Sequence, residues 1–303
     1  MLGTDNYYSS PGVPLEFDSK YPPMNDTPRD LPKFREPPVT EVALAVQFET
    51  LTALRTIQLG VLWEKVFRER FPKFEEHPPR ALAFEEFGIR GPKIIEVEIK
   101  QQFPVPRCWF LNEPETKLIQ VQQDRFVHNW RKFKGDEEYP HYESIRDTFM
   151  RELENFSQFL SREKIGELIP NQCEVTYVNH IFQGDGWDRH SQLDNLFTVW
   201  ASRYSDEFLP EAETVRFLVQ YEISDPETEG DPIGRLHINA EPKFRTKDDK
   251  PIIALTLTAR GRPFSGEGIE GVLPFLNIGR EWIVRGFTSI TTKDMHKFWE
   301  RYI

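Results

Sequence analysis

The chain has 303 residues and a net charge of −11, from 49 acidic and 38 basic side chains. A surface of that sign repels phosphate backbones, which disfavours bulk nucleic-acid binding, and no apolar run reaches the roughly 18 residues of a membrane span. The two cysteines, Cys108 and Cys173, sit in apolar runs without metal-ligand spacing, so buried free thiols in a reducing cytosol are expected.

Residues 1–36 read as a Pro-rich arm. Pro11, Pro14, Pro22, Pro23, Pro28 and Pro32 each fix φ and lack an N–H, so a mobile tail is expected, with Tyr7, Tyr8, Phe17 and Tyr21 available to dock. The first twenty residues lack the charged-then-apolar order of a secretory leader, and the expected location is cytoplasmic. Val42, Leu44, Val46 and Phe48 then alternate with Glu41, Ala43, Ala45 and Gln47, the pattern of a half-buried strand. Leu59, Leu62, Trp63, Val66, Phe67 and Phe71 recur at helical spacing until Pro72. Ile95, Val97 and Ile99 alternate in a second strand, and Cys108 to Leu111 form a short third. Asn112-Glu113-Pro114-Glu115 is a turn. Lys117 to Arg131 reads as one long strand with a bulge near Gln123, Asp124 and Arg125. After Pro140, Tyr142, Ile145, Phe149, Leu153, Phe156 and Leu160 mark the strongest helix in the chain.

The second half opens with a strand over 173–181. A loop with Gly184 and Gly186 follows, then a short helix through Leu193, Leu196, Phe197 and Trp200. Three strands come next: one through Val215 to Ile223, one from Arg235 to Lys243, and one from Ile252 to Arg260. A helix from about Ile269 to Arg285 and a last one capped by Thr291 and Asp294 complete the chain. Each half therefore reads strand, helix, antiparallel strands, helix. The expected class is α+β: a duplicated unit whose opening strands meet edge to edge, giving a curved sheet with helices on one face, similar to the TATA-box-binding protein. The expected boundaries are an arm at 1–36, a first repeat at 37–170 and a second at 171–303.

Three polar groups carry whatever chemistry the pattern offers. The first is Gln122, Asp124, Arg125, His128, Asn129, Trp130 and Arg131, where Trp130 offers a stacking plane beside hydrogen-bonding neighbours. A solvated sheet face is the simpler reading of the same run. The second is Thr176, Tyr177, Asn179 and His180, with Tyr177 and Asn179 on one face and His180 on the other. A hydrolase or nuclease would need His128 and His180 to converge as an acid–base pair. The third is Arg235, His237 and Asn239 with Arg260 and Arg262, and with Lys243, Arg245, Lys247 and Lys250 in the hairpin between. This is the basic concentration of an acidic chain, suited to an anion or carboxylate, or simply a solvated hairpin. Phosphate-loop, dinucleotide-binding, zinc-protease and nucleophile-elbow signatures are absent, so no cofactor and no metal is expected.

Four segments, PPVTEVALAVQFE at 37–49, LIQVQQDRFVHNWRKF at 118–133, CEVTYVNHI at 173–181 and REWIVRGFTSITTKDMHKFWER at 280–301, resemble a sporadically distributed family of bacterial proteins of unknown function. The resemblance runs from about Pro37 to the end. The family commonly has a histidine where this chain has Arg280. The resemblance implies no assigned activity, and its patchy occurrence implies an accessory role, such as a defence or toxin–antitoxin module. The expected function is a non-enzymatic cytosolic binding protein. Its sheet would present Gln122, His128, Trp130, Tyr177, Asn179 and Arg235 to a small molecule or protein partner; the alternative is the histidine-dependent hydrolase or nuclease. A nucleic-acid-associated regulator using the basic hairpin is the third reading, and a homodimer through sheet edges or the arm is left open.

Overall fold

Val42, Leu44, Val46 and Phe48 point to one side of strand β1 (Val39–Phe48), and the parity they set runs through the whole sheet. The computed structural model describes residues 30–87, 104–201, 208–225, 232–246, 248–264 and 268–303. The remaining strands are β2 (Lys73–His77), β3 (Arg107–Leu111), β4 (Lys117–Gln122), β5 (Arg125–Arg131), β6 (Pro170–Phe182), β7 (Phe217–Ile223), β8 (Gly234–Phe244) and β9 (Pro251–Gly261). They form one nine-stranded antiparallel sheet in the order β2-β3-β4-β5-β1-β6-β9-β8-β7. The helices are α1 (Thr56–Leu62, continued by a wider turn over Trp63–Phe67), α2 (His141–Arg162), α3 (Val272–Ile290) and α4 (Lys293–Phe298).

Leu44 lies opposite His128 of β5 and Val175 of β6, and Val175 lies opposite Ala259 of β9. One face is therefore apolar. It carries Phe126, His128 and Trp130, then Val42, Leu44 and Val46, then Val175 and Tyr177, then Leu255, Leu257 and Ala259. Helices α2 and α3 both cover this face. The Phe126 ring stands 6.0 Å from Phe149 and 5.4 Å from Phe156 of α2. Each fully buried Phe stabilises the fold by about 1.5–3 kcal/mol. Gly279 lets α3 approach the sheet closely: a Cβ there would lie 3.1 Å from Ala259 Cβ and 3.3 Å from Val175 Cγ2. The opposite face carries Gln120, Gln122, Asn129, Glu174, Thr176, Arg235, His237 and Arg260.

The expected duplicated unit of the TATA-box-binding-protein kind is corrected. The chain forms a single large antiparallel sheet with few helices, α+β only in the broad sense. The opening strands do pair, β1 with β6, but the halves do not repeat the same elements. Among the described residues, four strands follow β1 and three follow β6, and no α-helix separates β6 from β7. The helix expected through Leu193 and Trp200 is a short 3-10 stretch, His190–Asn195, after which Phe197 bridges to Thr291 in extended form. Its apolar side chains pack into the core without a regular helix to carry them.

Two local expectations also change. The long strand from Lys117 to Arg131 is a hairpin, with Gln122 paired to Arg125 around Gln123-Asp124. The last helix begins one residue later than expected: Thr292 Oγ1 accepts from Met295 N, while Thr291 Oγ1 donates to Phe287 O. The strand expected at Ile95–Ile99, Lys247 and most of the arm lie outside the described residues. The described end of the arm is docked, with Phe34 paired to Arg301 and its ring 5.5 Å from Phe287. Cys108 and Cys173 are buried and unpaired with each other. Among the described residues, no helix is long and apolar enough to cross a membrane and no cluster of His, Cys, Asp or Glu is placed to hold a metal ion.

Candidate functional site

Where β1 meets β6, the apolar face is not closed completely by the helices. A cavity of about 390 Å³ opens between the start of α2, the middle of α3 and the docked end of the arm. Its walls are apolar: Phe34, Pro37, Val39, Leu257, Ile283, Val284 and Phe287. Polar groups reach it from several elements: Tyr177 and Asn179 from β6, Tyr139, His141 and Glu143 from the start of α2 and the residues before it, Arg280 from α3, and Lys33 and Tyr302 from the arm and the last residues. Volume, apolar walls and a few converging polar groups are the features of a small-molecule site.

The Tyr139 and Tyr177 hydroxyls are 3.0 Å apart. Burial pushes both phenols upward, with Tyr177 drawn back in part by the hydrogen bond from Tyr139 and the charge of Arg280. Both stay protonated at neutral pH. Only one can donate to the other, so the pair keeps one spare O–H donor. Asn179 Nδ2 donates to Leu255 O at 3.1 Å, which fixes the side chain and leaves its oxygen as an acceptor. The Arg280 guanidinium lies over the Tyr142 ring, 5.3 Å from its centroid, and Tyr142 OH donates to Asn277 Oδ1 at 3.1 Å. Arg280 Nη2 approaches Glu143 only to 3.7 Å, and its buried Nε has no partner among the described residues. His141, also on the wall, holds φ at +62°, an uncommon conformation for a residue with a side chain and one met often at functional positions.

The sequence-predicted residues divide between the two faces of the sheet. Tyr177 and Asn179 line the cavity. Trp130 shares their face but lies in the core, 5.3 Å from the Tyr139 ring, and supports the cavity from behind. His128 is on that face too, fully covered, with neither ring nitrogen bonded among the described residues. Burial, with Lys117 and Arg151 adding to it, pushes its pKa down to about 3. His180 points to the opposite face. The two histidines therefore do not converge, and the acid–base pair is corrected: an even-numbered position on β5 and an even-numbered position on β6 fall on opposite sides in this register.

Gln122, Asn129, Arg131, Arg235, His237, Asn239 and Arg260 occupy the polar face, so the single binding surface expected for Gln122, His128, Trp130, Tyr177, Asn179 and Arg235 is also corrected. Arg107 Nη1 donates to Gln120 Oε1, Gln120 Nε2 to Asn129 Oδ1 and Asn129 Nδ2 to Glu41 Oε1, at 3.1, 2.7 and 2.5 Å. Arg131 Nε donates to Glu115 O at 2.9 Å. Arg235, His237 and Arg260 surround Glu85, a carboxylate of the same chain.

Sequence reasoning missed Tyr139, Glu85 and the cavity role of Arg280. Arg280 left a signal: it stands in the apolar stripe Leu276, Arg280, Ile283, Phe287 of α3, where a cation needs a reason. Tyr139 left none beyond its place before Pro140. Comparison with known proteins gave no matching family model, no matching curated protein and no matching solved structure.

Proposed function

We propose that the chain is a non-enzymatic binding protein whose seam cavity holds a small amphipathic acid, with its carboxylate on Arg280 and the tyrosine pair and its hydrocarbon body against Val39, Leu257, Ile283 and Phe287. The observation that carries this reading is the buried Nε of Arg280, which has no partner among the described residues, at a cavity with an apolar wall of Val39, Leu257, Ile283, Val284 and Phe287. A guanidinium in that position favours a planar anion over a neutral head group. The paired hydroxyls add a donor without a charge, and the volume suits a ligand of roughly ten to fifteen heavy atoms. The two phenols, kept protonated by burial, and the Asn179 amide are suited to holding a ligand's head group.

Differential scanning calorimetry with decanoate and decanol as paired probes tests the reading. A ligand held only by the folded state raises Tm with concentration. Decanoate should raise it and decanol should do so far less. An equal response to both, or to neither, would reject the anionic head-group site.

A further inference from the structure

Residues 78–87 cross the polar face of the sheet as an extended strap, and the way they are held is the way a bound peptide is held. Gln47 Nε2 donates to Ala83 O at 2.7 Å, and Gln47 Oε1 accepts from Ala83 N at 2.9 Å. Three residues earlier, Gln122 Nε2 donates to Arg80 O at 2.9 Å, and its Oε1 accepts from Arg80 N at 3.0 Å. Arg125 Nη2 adds a bond to Ala81 O at 3.2 Å. Each glutamine amide thus reads one residue's N–H and C=O, as a neighbouring strand would, without reading its side chain. Arg80, Leu82, Phe84 and Glu86 are themselves exposed.

One side chain of the strap is read. Glu85 is buried, at 5% exposure. Its carboxylate accepts from Arg235 Nη1, meets His237 Nε2 at 2.6 Å and accepts from Arg260 Nη1 at 3.4 Å. Arg235 also stacks on Phe87 at 4.7 Å and donates to Glu86 O at 3.2 Å. Arg260 is steadied from its other side by Glu174, whose Oε2 accepts from its Nε at 2.7 Å. Arg235 is only 7% exposed and its other carboxylate neighbour, Glu222, stands 3.9 Å away, so any segment that replaces the strap must bring its own acid or leave a covered guanidinium with that long contact alone.

We propose that the polar face is a binding site for an extended acidic segment of a partner protein, and that residues 78–87 are its tethered stand-in. Recognition would rest on two backbone readings three residues apart and one carboxylate two residues further on. The tether holds the strap at an effective concentration in the millimolar range, so the intact chain resists competition and a weakened strap admits it.

The test uses the full chain and a fluorescein-labelled peptide with the sequence of residues 78–87, followed by fluorescence anisotropy. Glu85→Gln removes the charge from the strap while keeping its shape. The peptide should bind the Glu85→Gln chain about 100-fold more tightly than wild type, and a peptide carrying glutamine at the position of Glu85 should bind neither. Absence of binding to a Glu85→Gln chain with wild-type circular dichroism would overturn the proposal and make the strap a fixed structural cover. A concentration-dependent dimer of that variant, with no peptide bound, would also overturn it, in favour of strap exchange between copies. Should Glu85→Gln not fold, hydrogen exchange on wild type decides. The amides of Arg80 and Ala83 should exchange well before those of β1 and β6, and faster still when excess peptide displaces the strap. Exchange of all four together would overturn the proposal.

Discussion

The hydroxyl oxygens of Tyr139 and Tyr177 lie 3.0 Å apart, one from the chain before α2 and one from the middle of the sheet, and they set the polar end of the seam cavity. Of their two protons one is used between them, and the other is available to a ligand. Tyr177→Phe deletes that arrangement while keeping the ring. Its affinity for decanoate should fall about 10-fold, the worth of one net hydrogen bond of ~1.5 kcal/mol. Tyr139→Phe should give a similar loss, and the double variant should lose less than the sum, because the two hydroxyls act as one unit. Isothermal titration of the three variants checks this.

His128 is buried against the underside of α2 with both ring nitrogens unbonded among the described residues. An uncharged imidazole in that position costs about 1–3 kcal/mol for each unmet polar group. His128→Leu should therefore stabilise the protein, raising the urea midpoint without changing the slope. A lowered midpoint would show that the imidazole has a role here.

The same residue makes stability depend on pH. Its folded pKa, about 3, lies below the ordinary 6.5. Between those values the unfolded chain binds the proton and the folded chain does not, so stability falls as pH drops through this window. Glu152 adds to the fall: burial pushes it up, but the hydrogen bonds from Arg70 and Asn155 outweigh that and hold it below the usual carboxylate range. Its contribution is full above the ordinary carboxylate pKa and disappears as pH falls through its lowered one. Denaturation midpoints at pH 7, 6, 5 and 4 should decline steadily, and the decline should be shallower in His128→Leu.

Two substitutions test the packing behind the site. A Cβ at Gly261 would sit 2.3 Å from Ile233 O and 2.3 Å from Phe275 Cε2, so Gly261→Ala must move backbone and should cost about 2–4 kcal/mol. Trp130→Ala opens a core cavity beside Tyr139 and should cost about 3–5 kcal/mol. Thermal melts of both variants check these values. A Trp130→Ala chain that melted like wild type would place the indole in solvent, against its burial.

The elements with a single unambiguous period were readable from sequence. Val42 to Phe48 alternate and form β1; Tyr142, Ile145, Phe149, Leu153, Phe156 and Leu160 lie along the buried side of α2. What failed depended on register or on contacts distant in the chain. Gln123-Asp124 carries none of the glycine or asparagine that marks a two-residue hairpin, so the β4–β5 turn read as a bulge in one strand. That hid the separation of Gln122 and Asn129 from His128 and Trp130, since neighbouring positions on a strand face opposite ways. Duplication was read from element order, and the order failed at Leu193 to Phe197, where apolar spacing produced a 3-10 turn instead of a helix. The strap has no period to read: its anchors are Gln47, Gln122 and Arg235, and Glu85 lies 150 residues from the arginine that holds it.

The seam cavity as a site for an amphipathic acid is tested most directly by calorimetric titration of decanoate into wild type and Arg280→Met at pH 7. Wild type should bind at one site per chain, and Arg280→Met should lose about 10- to 100-fold in affinity with melting temperature little changed, since the lost contact is a charge-assisted one to ligand. Equal affinity in the two proteins, or no heat in wild type at millimolar decanoate, would contradict it.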